Sequence, residues 1–186
     1  MTSTKELIMF ASLFRMTLAI IALYGILGSG NAFAENIANN KAPNFWLEGD
    51  NKQTVTLSDY RGHIVYVDFW ASWCQPCRKS FTWMNKMQSL YGSEGLKIIA
   101  INLDDERDKA EQFLEKIPAN FDIAYDPRGM AAEAYSVQAM PSSYLIDKQG
   151  HLIHANKGFR GNDEEQLEAK IRQYIRQSTV ASNDLR

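Results

Sequence analysis

Cysteine is nearly missing from this chain: 186 residues carry two, both within Trp73-Cys74-Gln75-Pro76-Cys77. That scarcity excludes a disulfide-stapled scaffold, because a ring closed across two intervening residues constrains the unfolded chain very little. Histidine is scarce as well, with only His63, His151 and His154. One C-x-x-C pair supplies two of the four ligands that a structural zinc wants. His151 and His154 stand three apart in a strand-like run, which turns them to opposite faces, so no metal is expected. A strong charge of either sign is also lacking. The formal net charge is −2, and nothing in it suggests nucleic acid or an anionic membrane surface as partner. There is no internal repeat and no low-complexity tract.

Apolar runs long enough to concern a membrane are confined to residues 1–34. Lys5 and Arg15 supply positive charge, Met16 to Leu27 is apolar, and Gly28-Ser29-Gly30 breaks the run. Ala32-Phe33-Ala34 has the small-x-small pattern of a signal-peptidase site. Met16 to Leu27 falls short of the ~20 residues that span a bilayer, so the segment reads as a signal peptide cleaved after Ala34. The alternative is an uncleaved inner-membrane anchor with the domain facing the periplasm, since Leu7 to Phe14 is apolar too and Arg15 can snorkel. No cysteine follows the run, which argues against a lipoprotein. Export puts the pair in an oxidising space, a bacterial periplasm, where it is a disulfide unless something reduces it.

Residues 35–41 read as a polar linker, 42–177 as one domain, and 178–186 as a polar, disordered tail. Val55-Thr56-Leu57 is a short strand after a turn at Gly49 to Gln53. Ile64 to Trp70 is an almost unbroken β-prone apolar run, the pattern of a strand covered on both faces. A helix follows from about Pro76 to Tyr91, with Phe81, Met84, Gln88 and Tyr91 on one face. Leu96 to Leu103 is a second buried strand, and Asp104 or Asp105 caps a solvated helix from about Arg107 to Lys116. Phe121 to Tyr125 (strand) and Met130 to Tyr135 (helix) form a βα segment. Ser143 to Asp147 and His151 to Ala155 form a hairpin, and a last helix starts at Asp163. Strands alternating with helices and closing in a hairpin and helix give an α/β sheet of mixed strand direction. Trp70, Trp83, Phe69 and Phe81 are read as core aromatics.

The pair itself lies where a buried strand passes into a helix. Cys74 falls at the helix N-terminus, where free N–H groups and the positive end of the macrodipole stabilise a thiolate. The thiolate is the attacking species in thiol–disulfide exchange. Arg78 and Lys79 add positive charge nearby, and Pro76 suits a first turn because its missing N–H would be unpaired there anyway. Cys74 is thus expected to be the exposed nucleophile and Cys77 the shielded, resolving thiol. Asp68 interrupts the apolar strand. If buried, its pKa rises and it can take the Cys77 proton, through water if need be; the alternative is a strand-end carboxylate facing solvent. Met140-Pro141 precedes a strand, where a cis-Pro loop could lie against the disulfide and meet a bound peptide. Trp73, Gln75, Pro76 and Met140 are the candidate substrate-facing residues.

Val67-Asp68-Phe69-Trp70-Ala71-Ser72-Trp73-Cys74-Gln75-Pro76-Cys77-Arg78-Lys79 resembles the active-site segment of thioredoxin-fold oxidoreductases. Ala42-Pro43-Asn44-Phe45, Leu57-Ser58-Asp59-Tyr60-Arg61-Gly62, Met140 to Asp147 and Gly158-Phe159 are similar to exported TlpA/ResA-type proteins. The resemblance implies a thioredoxin fold, a mixed central sheet flanked by helices, with an N-terminal β-hairpin and a central βα insertion filled by Phe121 to Tyr135. It also implies a cis Pro141 and Asp68 as the buried acid. The chain departs from that pattern at Ser80 and Thr82, where many such reductases carry Glu and often Pro. An acid–base role of that Glu cannot be carried over, and a specific link to cytochrome c maturation is weakened.

Thiol pairs of this kind span potentials of about −270 to −120 mV. Gln75-Pro76 lacks the histidine of a strong DsbA-type oxidant and adds no charge, which favours a reductant of protein disulfides. Such a reductant needs electrons from a membrane donor of the DsbD type. It would work as a monomer, with no cofactor beyond the Cys74–Cys77 disulfide. A disulfide-forming oxidase or isomerase and a non-catalytic binding module are the other readings. A peroxiredoxin wants Pro seven residues and Thr or Ser three residues before its reactive cysteine; those positions are Val67 and Ala71. Sco-type copper binding would need three residues between the cysteines.

Overall fold

The computed structural model describes residues 40–183. The expected signal peptide or anchor, most of the linker and the last three residues lie outside the described residues. The chain runs β1 (Trp46–Gly49), β2 (Thr54–Thr56), β3 (Ile64–Trp70), α1 (Gln75–Tyr91), β4 (Leu96–Asn102), α2 (Arg107–Lys116), β5 (Asp122–Tyr125), α3 (Met130–Ala134), β6 (Ser142–Ile146), β7 (Leu152–Lys157) and α4 (Asp163–Asn183). Among the described residues, seven strands form one sheet in the order β2-β1-β5-β4-β3-β6-β7. β3, β4 and β5 are parallel, while β6 and β7 and the β1–β2 hairpin run antiparallel to their neighbours. This is the thioredoxin fold, with an N-terminal hairpin docked through β1 on the inserted strand β5.

β3 is central and buried along its whole length. Alternation of side chains across the sheet sends Ile64, Tyr66 and Trp70 to one face. There they pack with Phe81, Met84 and Met87 of α1, Phe113 of α2, and Leu167 and Ile171 of α4. Val65, Val67 and Phe69 go to the other face, against Phe45, Leu57, Ala131, Tyr135 and Tyr144. Trp70, Trp83, Phe69 and Phe81 all belong to this interior. Trp70 and Phe81 meet edge to face at 4.7 Å, and Phe81 reaches Phe113 at 5.0 Å.

Several boundaries differ from the sequence reading. β2 stops at Thr56 because Leu57, although its N–H still bonds the Phe45 carbonyl opposite (3.2 Å), opens a 3-10 turn. α1 begins at Gln75, with Cys74 as its cap residue. Neither Asp104 nor Asp105 caps α2: its cap residue is Glu106, with no side-chain hydrogen bond. Asp104 is buried rather than solvated. His151 stands outside β7, bridged to Lys41, and its backbone N–H donates to Asp147. β5 starts one residue late, at Asp122, and α3 ends at Ala134. α4 continues through Asn183, into the stretch expected to be a disordered tail, because no glycine or proline interrupts 163–183 and so nothing there breaks a helix.

Candidate active site

β3 ends at Trp70, and the chain reaches α1 through Ala71-Ser72-Trp73. The Cys74 N–H donates to the Ala71 carbonyl (3.1 Å), closing a turn that sets Cys74 as an extended cap residue (φ −76°, ψ 103°) on the first turn of α1. Cys74 and Cys77 are joined as a disulfide, with their Cα atoms 5.3 Å apart. Cys74 retains 3% of its surface and Cys77 none. The expectation of an exposed Cys74 is thus corrected for the disulfide form, where the turn and the bond to Cys77 fold its sulfur inward. Trp73 projects outward, 71% exposed, and Gln75 and Pro76 are exposed beside it.

The two positive charges that follow the pair are spent elsewhere. The Lys79 ammonium pairs with Glu164 of α4 at 2.9 Å, and the Arg78 guanidinium lies over the Phe113 ring, 5.3 Å from its centroid. The positive end of α1, on which Cys74 sits as cap residue, is not engaged by those partners.

Asp68 is buried, 1% exposed. Its place in β3 gives it the same sheet face as Tyr66 and Trp70, the face whose core includes both cysteines. Its Oδ2 has no hydrogen-bond partner among the described residues. Burial pushes the carboxyl well above the usual carboxylate range, since desolvation penalises the charged form. Ser80, where a glutamate stands in many similar reductases, is fully buried, and its hydroxyl donates to the Cys77 carbonyl at 3.0 Å.

The Met140–Pro141 peptide bond is cis. Ser142 pairs with Phe69, so Pro141 stands level with Trp70, at the end of β3 from which the cysteine segment departs. Its carbonyl accepts the Gly158 N–H (2.7 Å), and the Ser142 hydroxyl donates to Ala139 (2.7 Å), holding the loop from both sides. Pro141 is buried and Met140 half-buried.

Sequence reasoning missed one group. The Ser72 N–H and hydroxyl donate to the two carboxylate oxygens of Asp104 at 2.8 and 3.0 Å, and Asn102 holds Asp104 in turn. The available signal was a pair of polar residues closing an apolar strand. Asp104 also borders a cavity of about 570 Å³ between the N-terminal segment and the β5–α3 turn, lined by Phe45, Trp46, Tyr125 and Met130 among others. Among the described residues no group of three or more His, Cys, Asp or Glu side chains is placed to hold a metal ion.

Residues 38–155 match the AhpC/TSA family. The thiol-disulfide oxidoreductase ResA of Bacillus thuringiensis subsp. konkukian is 32% identical over 139 residues, 75% of this chain and 77% of that protein. ResA of Geobacillus kaustophilus is 33% identical over 138 residues, 73% and 79%. Among solved structures, a Chlorobium tepidum protein described as a thiol:disulfide interchange protein DsbE shares 46% identity at a TM-score of 0.71, over 73% of this chain and 96% of that one. StoA of Bacillus subtilis, 22% identical at a TM-score of 0.59 over 70% and 97%, shares the fold. The two cysteines, joined across one turn at a helix N-terminus on a thioredoxin fold, belong to an enzyme of protein thiol–disulfide exchange. The chain belongs to the AhpC/TSA family and, within it, to the TlpA/ResA-type thiol-disulfide oxidoreductases.

Proposed function

We propose that the protein reduces disulfides of exported proteins in a bacterial periplasm, with Cys74 as nucleophile, Cys77 as resolving thiol and Asp68 as the buried acid–base group. The observation that carries the assignment of roles is the unpaired Asp68 carboxyl, buried on the face of the sheet that holds the pair. The dithiol form begins the cycle. The Cys74 thiolate attacks one sulfur of a substrate disulfide, the substrate S–S bond breaks, and the departing thiolate takes a proton. Asp68, as carboxylate, then accepts the Cys77 proton, directly or through water. The Cys77 thiolate attacks the Cys74 sulfur, forming Cys74–Cys77 and releasing the second substrate thiol. Two electrons have passed to the substrate; its first thiolate takes a proton from water, matching the one Cys74 lost on ionising, and its second takes the Cys77 proton back from Asp68.

Trp73, Gln75, Pro76 and Met140 form the substrate-facing surface, and the Pro141 loop offers backbone groups to the bound peptide. The uncharged, exposed Gln75-Pro76 pair supports a reductant over a disulfide-forming oxidase. The pattern of residues 1–34 supports export with cleavage after Ala34, and residues 42–177 carry the activity. Among the described residues no helix is long and apolar enough to cross a membrane. The protein acts as a monomer, uses no cofactor other than its own disulfide, and is recharged by a membrane donor of the DsbD type.

Cys77→Ser, expressed with its leader, should accumulate disulfide-linked protein partners identifiable by mass spectrometry. Accumulation on Cys74→Ser instead would reverse the two roles. Equilibration with glutathione should give a potential nearer about −270 mV than about −120 mV; a value at the oxidising end would overturn the reductant reading.

A further inference from the structure

β3 and β4 are parallel neighbours with Trp70 and Asn102 in register, so the chain leaves both strands side by side. The Leu103 N–H donates to the Trp70 carbonyl at 2.9 Å, carrying the ladder one step beyond the strands. Asn102 and Asp104 then bond reciprocally. The Asp104 N–H donates to Asn102 Oδ1 (3.1 Å), and Asn102 Nδ2 donates to Asp104 Oδ2 (2.8 Å). This ring leaves the carboxylate aimed at Ser72, whose N–H and hydroxyl take its two oxygens at 2.8 and 3.0 Å. Asp104 is 4% exposed and Asn102 1%.

A buried carboxylate is a costly way to join two loops. It is offset here by three hydrogen bonds to a charged acceptor, which are shorter and stronger than neutral ones. The member it holds, Ser72, lies two residues before the nucleophile of the proposed cycle, inside the Ala71–Cys74 turn. Beside it, Ala71 has no polar side chain, Trp73 is exposed, and Cys74 is held by the bond to Cys77, which reduction breaks.

We propose that Asp104 is a positioning residue for thiol–disulfide exchange: by clamping Ser72 it fixes the turn that holds Cys74 as the cap residue of α1. The helix N-terminus stabilises a thiolate only within its first turn. Release of Ser72 lets Cys74 leave that position, and its thiol becomes harder to ionise. The inference rests on Cys74 being the nucleophile.

The test compares Asp104→Ala, Asp104→Asn, Ser72→Ala, Ser72→Thr and the double variant Asp104→Ala/Ser72→Ala, all as reduced protein. Two quantities are read: the rate of reaction with 5,5′-dithiobis(2-nitrobenzoic acid), and the pH midpoint of Cys74 alkylation by iodoacetamide. Asp105→Ala serves as control, because that exposed carboxylate pairs with Lys109 and makes no contact with the turn. Losing charge-assisted hydrogen bonds to Ser72 should slow exchange about tenfold in Asp104→Ala, with the midpoint moved upward. Ser72→Ala should lose less, and Ser72→Thr and Asp104→Asn should stay near wild type because an acceptor still faces the Ser72 backbone. The double variant should be no slower than Asp104→Ala, the sign of one shared contact.

A midpoint moved downward in Asp104→Ala would mean that the carboxylate acts by its charge alone and overturns the proposal. So would a lower melting temperature with rate and midpoint unchanged, or an equal effect in Asp105→Ala. If Asp104→Ala fails to fold, Ser72→Ala against Ser72→Thr decides, and equal behaviour of those two with unaltered midpoints overturns it. Failure of the wild-type protein itself to react through Cys74 would instead remove the underlying reading of the nucleophile.

Discussion

The Lys79 ammonium stands 2.9 Å from the Glu164 carboxylate, tying the active-site helix to the C-terminal helix two residues beyond Cys77. Sequence proximity assigned that charge to the cysteine pair, whereas the fold gives it to α4. Both side chains are about half exposed (56% and 40%), and exposed pairs contribute only about 0.2–1 kcal/mol. Glu164→Gln is therefore expected to cost less than about 1 kcal/mol in urea unfolding. The glutathione equilibrium should not move. A marked shift in potential on Glu164→Gln would show that Lys79 does act on the thiols.

Asp68 links stability to pH. The folded chain holds its proton to higher pH than the unfolded chain, because burial raises the carboxyl well above its usual range. Stability from this group is complete below the unfolded pKa. It falls as pH rises from there through the folded pKa, since the unfolded chain binds fewer protons in that window. Asp68→Asn removes the loss. Its melting temperature should exceed wild type by a few degrees at about pH 8, at about 2–4 °C per kcal/mol for a chain of this size, and the two should converge near about pH 4. The same variant should slow resolution of the mixed disulfide. A wild-type protein as stable as Asp68→Asn at all pH values would rule out a buried charge at this position.

Ser80 can be tested by installing the glutamate that many similar reductases carry. The site is fully buried, and its present hydroxyl is satisfied by the Cys77 carbonyl at 3.0 Å. A larger, charged side chain there has no partner and must disturb the packing of α1. Ser80→Glu should therefore lose at least about 2 kcal/mol at pH 7, read from the urea midpoint, and recover part of it as the medium is acidified. Undiminished stability would mean that the first two turns of α1 open readily.

Phe81 anchors α1 to the sheet, with ring centroids 4.7 Å from Trp70, 5.0 Å from Phe113 and 5.4 Å from Phe121. Phe81→Ala should cost about 3–5 kcal/mol through lost burial and a residual cavity. Since Phe81 lies one turn past Cys77, exchange should fall more steeply than Phe→Ala at an unrelated core site would cause. Equal activity losses at both sites would show that the packing beneath the pair is not specially coupled to it.

Most of the frame was legible because hydrophobic pattern alone specifies it. Ile64 to Trp70 and Leu96 to Asn102 are apolar on both faces, which demands layers on either side. The long helix after the cysteines is bounded by Pro76 near its start and Gly92 at its end. The misreadings at His151 and Asp104 share one cause: both take partners far away in sequence, at Lys41 and Ser72. Local propensity could not anticipate those partners. The tail was misread for a different reason, since polarity was taken as disorder where nothing breaks the helix.

By its sequence alone, this protein is a two-cysteine chain whose thiols point to disulfide exchange, at a strand-to-helix junction, with an acid inserted in the preceding strand. Those facts follow from residue chemistry and from the periods of strand and helix, which act over a few neighbouring residues. Only the tertiary structure decided which charges reach the pair. It buried Asp68 without a partner, drew Lys79 to Glu164, and brought Asp104 from the next strand onto Ser72. Electrostatic and hydrogen-bond partners are set by which strands lie side by side and how deeply each group is removed from water, and neither is encoded in spacing along the chain.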